Sequence, residues 1–289
     1  MCISNYLKLI RPWQYYKNLL IFLPLIFVKE LFNTGAVSRV LVGFVALCMI
    51  SSANYILNDI IDRKKDIMHP EKKYRPLASG IVSVGSALIL AILCFVFSAW
   101  IAVWLGNYFV YFVLALFVLT LFYSYALKDI PFLDITLIGV NFILRAMSGA
   151  FIVYTGKIIP ISPWLILCPF FLALFLAVGK RNADIKLLGA KAYLHKKILR
   201  YYTPGLTDSL MTITTTSLLI CYALFSFNSD FPNLIYTLPF AVYIMFRYIY
   251  LVNSGSEIAR NTHLLVKDIP IVVAGLIWAV VLLGIIYLF

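Results

Sequence analysis

Asn58-Asp59-Ile60-Ile61-Asp62-Arg63-Lys64-Lys65-Asp66-Ile67-Met68-His69-Pro70-Glu71-Lys72-Lys73-Tyr74-Arg75-Pro76 is a charged block in an otherwise apolar chain. Counting Glu71, it holds four of the twelve carboxylates. Asn58, Asp62 and Asp66 are spaced four apart, so on a helix they share one face, drifting about 40° per step. Asp59 stands beside them. Mg²⁺ takes oxygen ligands and keeps waters and substrate phosphates in its shell, and carboxylates along one helical face supply a one-sided clamp of that kind. Arg63, Lys64, Lys65, Lys72, Lys73 and Arg75 crowd anion-binding groups into the same place. A turn that only set topology would need cations, not spaced carboxylates.

Outward from this block the chain is apolar. Of 289 residues, 63% are hydrophobic and 12% charged, against roughly half and a quarter in a soluble domain. The expected class is therefore all-α, a polytopic membrane protein, because the apolar runs have helical rather than barrel-strand length. Nine spans are expected, at about 18–36, 39–57, 83–105, 107–126, 132–154, 161–179, 207–228, 232–252 and 269–288. Lys29 and Glu30 interrupt the first. Residues 1–17 read as an amphipathic interfacial segment with no cleavable signal. Residues 58–82 and 180–206 are expected as cytoplasmic loops of a single transmembrane catalytic domain, 1–289.

Alternate loops separate by charge. Lys8, Arg11 and Lys17, the block above, Lys128, and the stretch with Lys180, Arg181, Lys186, Lys191, Lys196, Lys197 and Arg200 fall on one side. Only Lys29, Arg39 and Lys157 fall on the other. The positive-inside rule then puts the N-terminus and the Asp-rich block in the cytoplasm and the C-terminus outside a cell membrane. The net charge of +12 sits at the membrane rim, where it meets anionic headgroups rather than nucleic acid. Cys2, Cys48, Cys94, Cys168 and Cys221 have no metal or redox spacing and read as small buried hydrophobes.

Ionisable groups inside spans are costly and need a reason. Arg145 lies well inside span five, with Asn141 on its face. Arg247 lies deep in span eight, where a structural pair and a functional role are equally open. Between spans four and five, Tyr123, Lys128, Asp129 and Asp134 bring a cation, carboxylates and a phenol to the cytoplasmic rim, read as a second wall of a phosphate site. Asp129 also reads as a helix cap. Lys180 and Arg181 close span six, where they complement the helix dipole or reach a phosphate. Tyr201, Tyr202 and Asp208 are further candidates. His69 reads as structural before Pro70, and His195 and His263 lie in polar loops.

These residues resemble the UbiA superfamily of intramembrane prenyltransferases over nearly the whole chain. The superfamily pattern Asn/Asp-x-x-x-Asp-x-x-x-Asp is matched by Asn58, Asp62 and Asp66. The opening Arg-Pro-x-Gln-x-x-Lys-Asn (Arg11 to Asn18), His69-Pro70, Arg75-Pro76, Tyr123-Ser124 with Leu127-Lys128, Arg145-Ala146 and Gly179-Lys180-Arg181 resemble the branch that acts on polyprenyl phosphates. Asp129 and Asp134, five apart, depart from the family's usual second Asp-x-x-x-Asp. The resemblance implies nine helices around a central cavity open to lipid. It implies Mg²⁺ held by Asn58, Asp62 and Asp66, with Asp59 in support. Lys17, Arg75, Tyr123, Lys128, Asp134, Asn141, Arg145, Lys180 and Arg181 would contact substrate.

The implied reaction moves a 5-phosphoribosyl group from 5-phosphoribosyl 1-diphosphate to a membrane polyprenyl phosphate and releases diphosphate. Donor identity rests on the resemblance, because the two-acid fingerprint of soluble phosphoribosyltransferases is absent. The alternative is a prenyl diphosphate donor with an aromatic or glycerol-phosphate acceptor. A secondary transporter would line a midplane path with ionisable groups, whereas here they cluster at one face. A homo-oligomer is compatible with the sequence, which does not set its size.

Overall fold

The computed structural model describes residues 3–69, 71–106, 108–154, 162–189 and 197–288. Of the residues named above, Cys2, Pro70, Lys157, Lys191, His195 and Lys196 lie outside these ranges. Among the described residues there is no strand. The α-helices are α1 (Ile3–Ile10), α2 (Leu23–Phe27), α3 (Thr34–Ile67), α4 (Val84–Leu105), α5 (Phe109–Tyr125), α6 (Leu133–Ala150), α7 (Pro163–Leu188), α8 (Pro204–Asn228), α9 (Leu238–Asn253), α10 (Glu257–Arg260) and α11 (Ile269–Leu288). Seven described helices are long and apolar enough to cross a membrane, and α5 is a shorter apolar helix. Large side chains such as Trp100, Val103, Trp104, Leu276 and Val280 stay exposed on them, as a lipid environment allows. The chain is a multi-pass membrane protein.

Two expected spans differ in form. The first is not one helix: a 3-10 segment, Pro12–Phe22, runs into the five-residue α2. Lys29, at φ 59, then turns the chain, since a left-handed residue ends a helix. The second span is longer than expected. Asn33 caps α3 through bonds from Gly35 and Ala36, and the helix continues to Ile67. The Asn58–Asp66 block is therefore the last turns of a helix, and the expected loop 58–82 begins only at Met68. Likewise α7 carries 180–188 as helix. In both places an amphipathic helix continues past the apolar run, and the change in polarity does not break the backbone ladder.

The chain divides into two compact units, 1–128 with 144–161, and 129–143 with 162–289. In the first, α3 packs against α4 and α5. Leu9 of α1 is buried with Ile56 and Leu77, so the N-terminal helix is docked on protein. Arg39 donates to the carbonyls of Ile152 and Leu105, both at 3.0 Å, and so satisfies orphan helix-end acceptors. Gly149 is required here: a Cβ would lie 2.1 Å from the Ile21 carbonyl oxygen. In the second unit, α7, α8 and α9 bury Phe175, Val178, Met211, Leu218 and Tyr248 together.

Candidate functional site

The end of α3 carries three carboxylates, and each meets a cation from outside the helix, within the first unit. Arg11 reaches Asp59 at 2.5 Å. Arg75 spans two acids, 2.9 Å from Asp59 and 2.7 Å from Asp66. Lys128 lies 2.7 and 2.6 Å from the two oxygens of Asp62. Arg63 turns away to the Leu77 carbonyl at 3.1 Å. His69 Nδ1 accepts from the backbone N–H groups of Glu71 and Lys72. It shapes the turn that returns Arg75 to the helix, in line with its structural reading.

Arg11 is held in a left-handed conformation, φ 52 and ψ 61, before Pro12. That geometry is uncommon for a side chain of this size and costs on the order of 1–3 kcal/mol. It aims the guanidinium at Asp59, where the Tyr55 ring also meets it at 5.3 Å.

Asp59 and Asp66 are 2% and 3% exposed. Lys72 is half-buried beside them, and burial pushes its ammonium below the usual range, with Arg75 adding to the shift and Asp66 and Asp62 opposing it. Four cations, Arg11, Lys72, Arg75 and Lys128, thus surround three acids, which leaves the cluster suited to an added anion. Among the described residues no three acidic, His or Cys side chains converge as a ready-made metal cage. Along a helix, Asn58, Asp62 and Asp66 are spaced about 6 Å apart, so one ion can be shared by neighbours on this face but not by all three. That one-sided set suits Mg²⁺, which takes one or two carboxylates plus substrate phosphates.

A second cationic group lies in the same unit. Arg145, 8% exposed, donates from Nε to Asn18 Oδ1 at 2.8 Å. Asn18 is 1% exposed and donates to Cys48 Sγ at 3.3 Å. Lys17 follows Tyr16 on the 3-10 segment. Burial, with Arg145 and Arg11 close by, pushes its ammonium down to about 8. Tyr15 and Ser52 pin the segment with a 2.7 Å contact. Tyr123 is half-buried on α5.

The second unit places the remaining sequence-read residues. Asp134 is fully buried. It accepts from Arg181 at 3.2 and 2.9 Å and from the Tyr202 hydroxyl at 2.6 Å. Phe132, at φ 65, donates its N–H to the Tyr202 oxygen at 3.1 Å. Burial and the neighbouring Asp134 push the Tyr202 phenol well up. Asp134 and Arg181 are thus brought together, while Lys180 is exposed and Asn141 donates to the Leu137 carbonyl one turn back. Arg247 pairs with Asp268 at 3.2 and 3.1 Å. Asp268 in turn caps the start of α11 through Ile271 N–H, so the structural alternative holds for that arginine.

Arg11 and Lys72 are visible in the sequence only as part of a motif and a charge run, not as site residues. The usable signal for Arg11 is its place directly before Pro12. For Lys72 nothing distinguishes it from Lys73. The Asp184–Arg260 pair, at 2.8 Å, has no local signal at all.

The family described as "UbiA prenyltransferase family" matches residues 22–265. A curated decaprenyl-phosphate phosphoribosyltransferase from Mycolicibacterium smegmatis is 33% identical over 240 residues, 82% of this chain and 74% of the relative. The enzyme of that name from Corynebacterium glutamicum is 34% identical over 232 residues, 77% of this chain and 67% of the relative. Among solved structures, a UbiA homolog from Archaeoglobus fulgidus bound to DMAPP and Mg²⁺ is similar with TM-score 0.74 at 18% identity. That match covers 99% of this chain and 100% of the other. At that identity the likeness speaks for the fold.

Proposed function

The chain belongs to the UbiA prenyltransferase family, and from that premise we propose that it transfers a 5-phosphoribosyl group from 5-phosphoribosyl 1-diphosphate to a membrane polyprenyl phosphate. The observation that carries the reading is the α3 cluster, where Asp59, Asp62 and Asp66 are interleaved with Arg11, Arg75 and Lys128. The phosphoribosyltransferase relatives, at 33% and 34% identity, support the choice of donor and acceptor.

The acceptor phosphate is already ionised at neutral pH, so the reaction needs no strong general base. A phosphate oxygen attacks the anomeric carbon, and the C1–O electron pair leaves with diphosphate. Positive charge develops on the ribose and negative charge on the leaving group. Arg75 and Lys128 exchange their carboxylate partners for diphosphate oxygens. Lys17 and Arg145, the latter oriented by Asn18, receive the acceptor phosphate. Neighbouring pairs among Asn58, Asp62 and Asp66 would hold Mg²⁺, which when bound would supply positive charge to the leaving diphosphate. Fixed charges, set before the reaction, do most of the work. Within the second unit Asp134, Arg181 and Tyr202 support the helices that carry them. The excess of Lys and Arg in alternate loops supports a cytoplasmic site and N-terminus in the cell membrane, with the C-terminus outside.

The test is transfer by the purified protein from labelled 5-phosphoribosyl 1-diphosphate to polyprenyl phosphate, with Mg²⁺ and with EDTA. Label should enter the lipid phase only with metal. Transfer instead from a prenyl diphosphate to an aromatic or glycerol-phosphate acceptor would replace the donor and keep the α3 site.

A further inference from the structure

The second unit contains a cavity of about 420 Å³ lined by Asn182 and Lys186 of α7, Asp208, Thr212, Thr215 and Thr216 of α8, and Asn253 of α9, with Met211 and Ile249 as its apolar wall. The volume falls in the range of small-ligand sites. Its seven polar side chains come from the last two turns of α7, the end of α9, and α8 from Asp208 in its second turn to Thr215 and Thr216 midway along it. We propose that this cavity is a binding site for a vicinal-diol group, taken from a lipid headgroup or from a free polyol.

The charges argue for a neutral ligand. Lys186 Nζ lies 3.3 Å from Asp208 Oδ1, so the pair cancels. The Lys186 ammonium also donates to Asn253 Oδ1 at 2.6 Å. It therefore occupies the place an incoming cation would take, and Asp208 repels an anion. The hydrogen-bonding inventory argues for hydroxyls. Thr212 and Thr215 spend their protons on the carbonyls of Asp208 and Met211, so both present oxygens as acceptors. Asp208 accepts from Asn182 Nδ2 at 2.8 Å through Oδ1, and its second oxygen remains to accept. A carboxylate that accepts from a sugar hydroxyl is a recurrent means of recognition.

Asn182 supplies the independent observation. It is 1% exposed, and its Oδ1 is a buried acceptor with no hydrogen-bond partner. Buried polar atoms are nearly always paired, and an orphan calls for an explanation. A hydroxyl donor in the cavity beside Asn182 gives this oxygen the partner it lacks and leaves the Asn182 Nδ2–Asp208 bond in place. On the donor side, the Asn253 amide nitrogen and the Thr216 hydroxyl complement the oxygens of the same diol. Asn182 and Lys186 lie a turn apart on one face of α7, separate from Arg181, which faces Asp134.

The full chain in phosphatidylcholine nanodiscs tests the proposal in two arms. In the first, D-ribose and glycerol are titrated and the unfolding midpoint is read. In the second, native mass spectrometry measures retention of phosphatidylglycerol against phosphatidic acid, which is anionic but lacks the diol. A rise in midpoint identifies a free polyol, and preferential retention of phosphatidylglycerol identifies a lipid source. Asp208→Asn should weaken whichever is bound by about tenfold, the loss expected from one charge-assisted hydrogen bond. Thr216→Val should weaken it less, and it carries the test if Asp208→Asn does not fold. Absence of binding in both arms, or binding that neither substitution alters, overturns the proposal.

Discussion

Two acid–cation clusters invite comparison: the carboxylate face of α3 in the first unit and the Asp134–Arg181–Tyr202 network in the second. Both place ionised groups in membrane-length helices, and both are hydrogen-bonded. In the second, Asp134 is fully buried, both its oxygens are engaged, and the Arg181 side chain is 4% exposed. In the first, side-chain exposures of 13% and 15% for Lys128 and Asp62 leave an edge accessible, and Arg75 is divided between two acids. A closed network with matched charges stabilises one arrangement. An open one with surplus cation can exchange partners with an incoming anion. Under the proposed function, the same residue types serve structure or chemistry according to whether their lone pairs and charges are all committed.

The comparison breaks most sharply at Asp62. Asp62→Asn should lower kcat by about 10²–10³, as removal of a group acting on transition-state charge does, with an unfolding midpoint close to that of the parent. Retained turnover with saturating Mg²⁺ would show that the α3 face is structural too. Asp134→Asn should do the reverse. Removing the carboxylate that Arg181 and Tyr202 share should cost about 3–5 kcal/mol of stability, seen as a fall in thermal midpoint and yield. A stable protein with lost activity would move Asp134 into the chemistry.

Lys128→Ala comes next, with an expected rise of about tenfold in KM for the donor and a smaller change for the acceptor. Equal changes in both would assign Lys128 to neither phosphate. The smallest effect concerns Lys17, whose ammonium titrates near 8 against an ordinary 10.5. As pH rises through 8 the folded protein loses this positive charge, so acceptor KM should climb, and Lys17→Arg should flatten the climb. Stability has the opposite sign. Between about 8 and 10.5 the unfolded chain holds a proton that the folded chain lacks, so this group makes folding more favourable as pH rises. A flat KM profile in the parent protein would remove Lys17 from the anion site.

The spans were legible because twenty apolar residues in a row have few other uses. The limits of α3 and α7 were less so. Asn58, Asp62 and Asp66 kept helical spacing, but their polarity marked the end of a lipid-facing run, and helices do not stop where polarity changes. The broken first span followed from Pro12, Pro24 and Lys29, which the interruption at Lys29 and Glu30 only partly signalled. Within the site, the carboxylates were readable from their period. Their partners were not, because Arg11 and Asp59 are 48 residues apart and Lys128 and Asp62 are 66 apart, and no local pattern pairs such groups.

The sequence by itself determined a helical membrane protein, its apolar spans, and one face of α3 rich in carboxylates. Those follow from composition and period, which act along the chain. Only the tertiary structure decided that Arg75 bridges two acids, that Arg247 serves the cap of α11, and that Asp134 is sealed while Asp62 is accessible. Such outcomes depend on which side chains meet across long sequence separations, and on how much water or lipid packing leaves beside them.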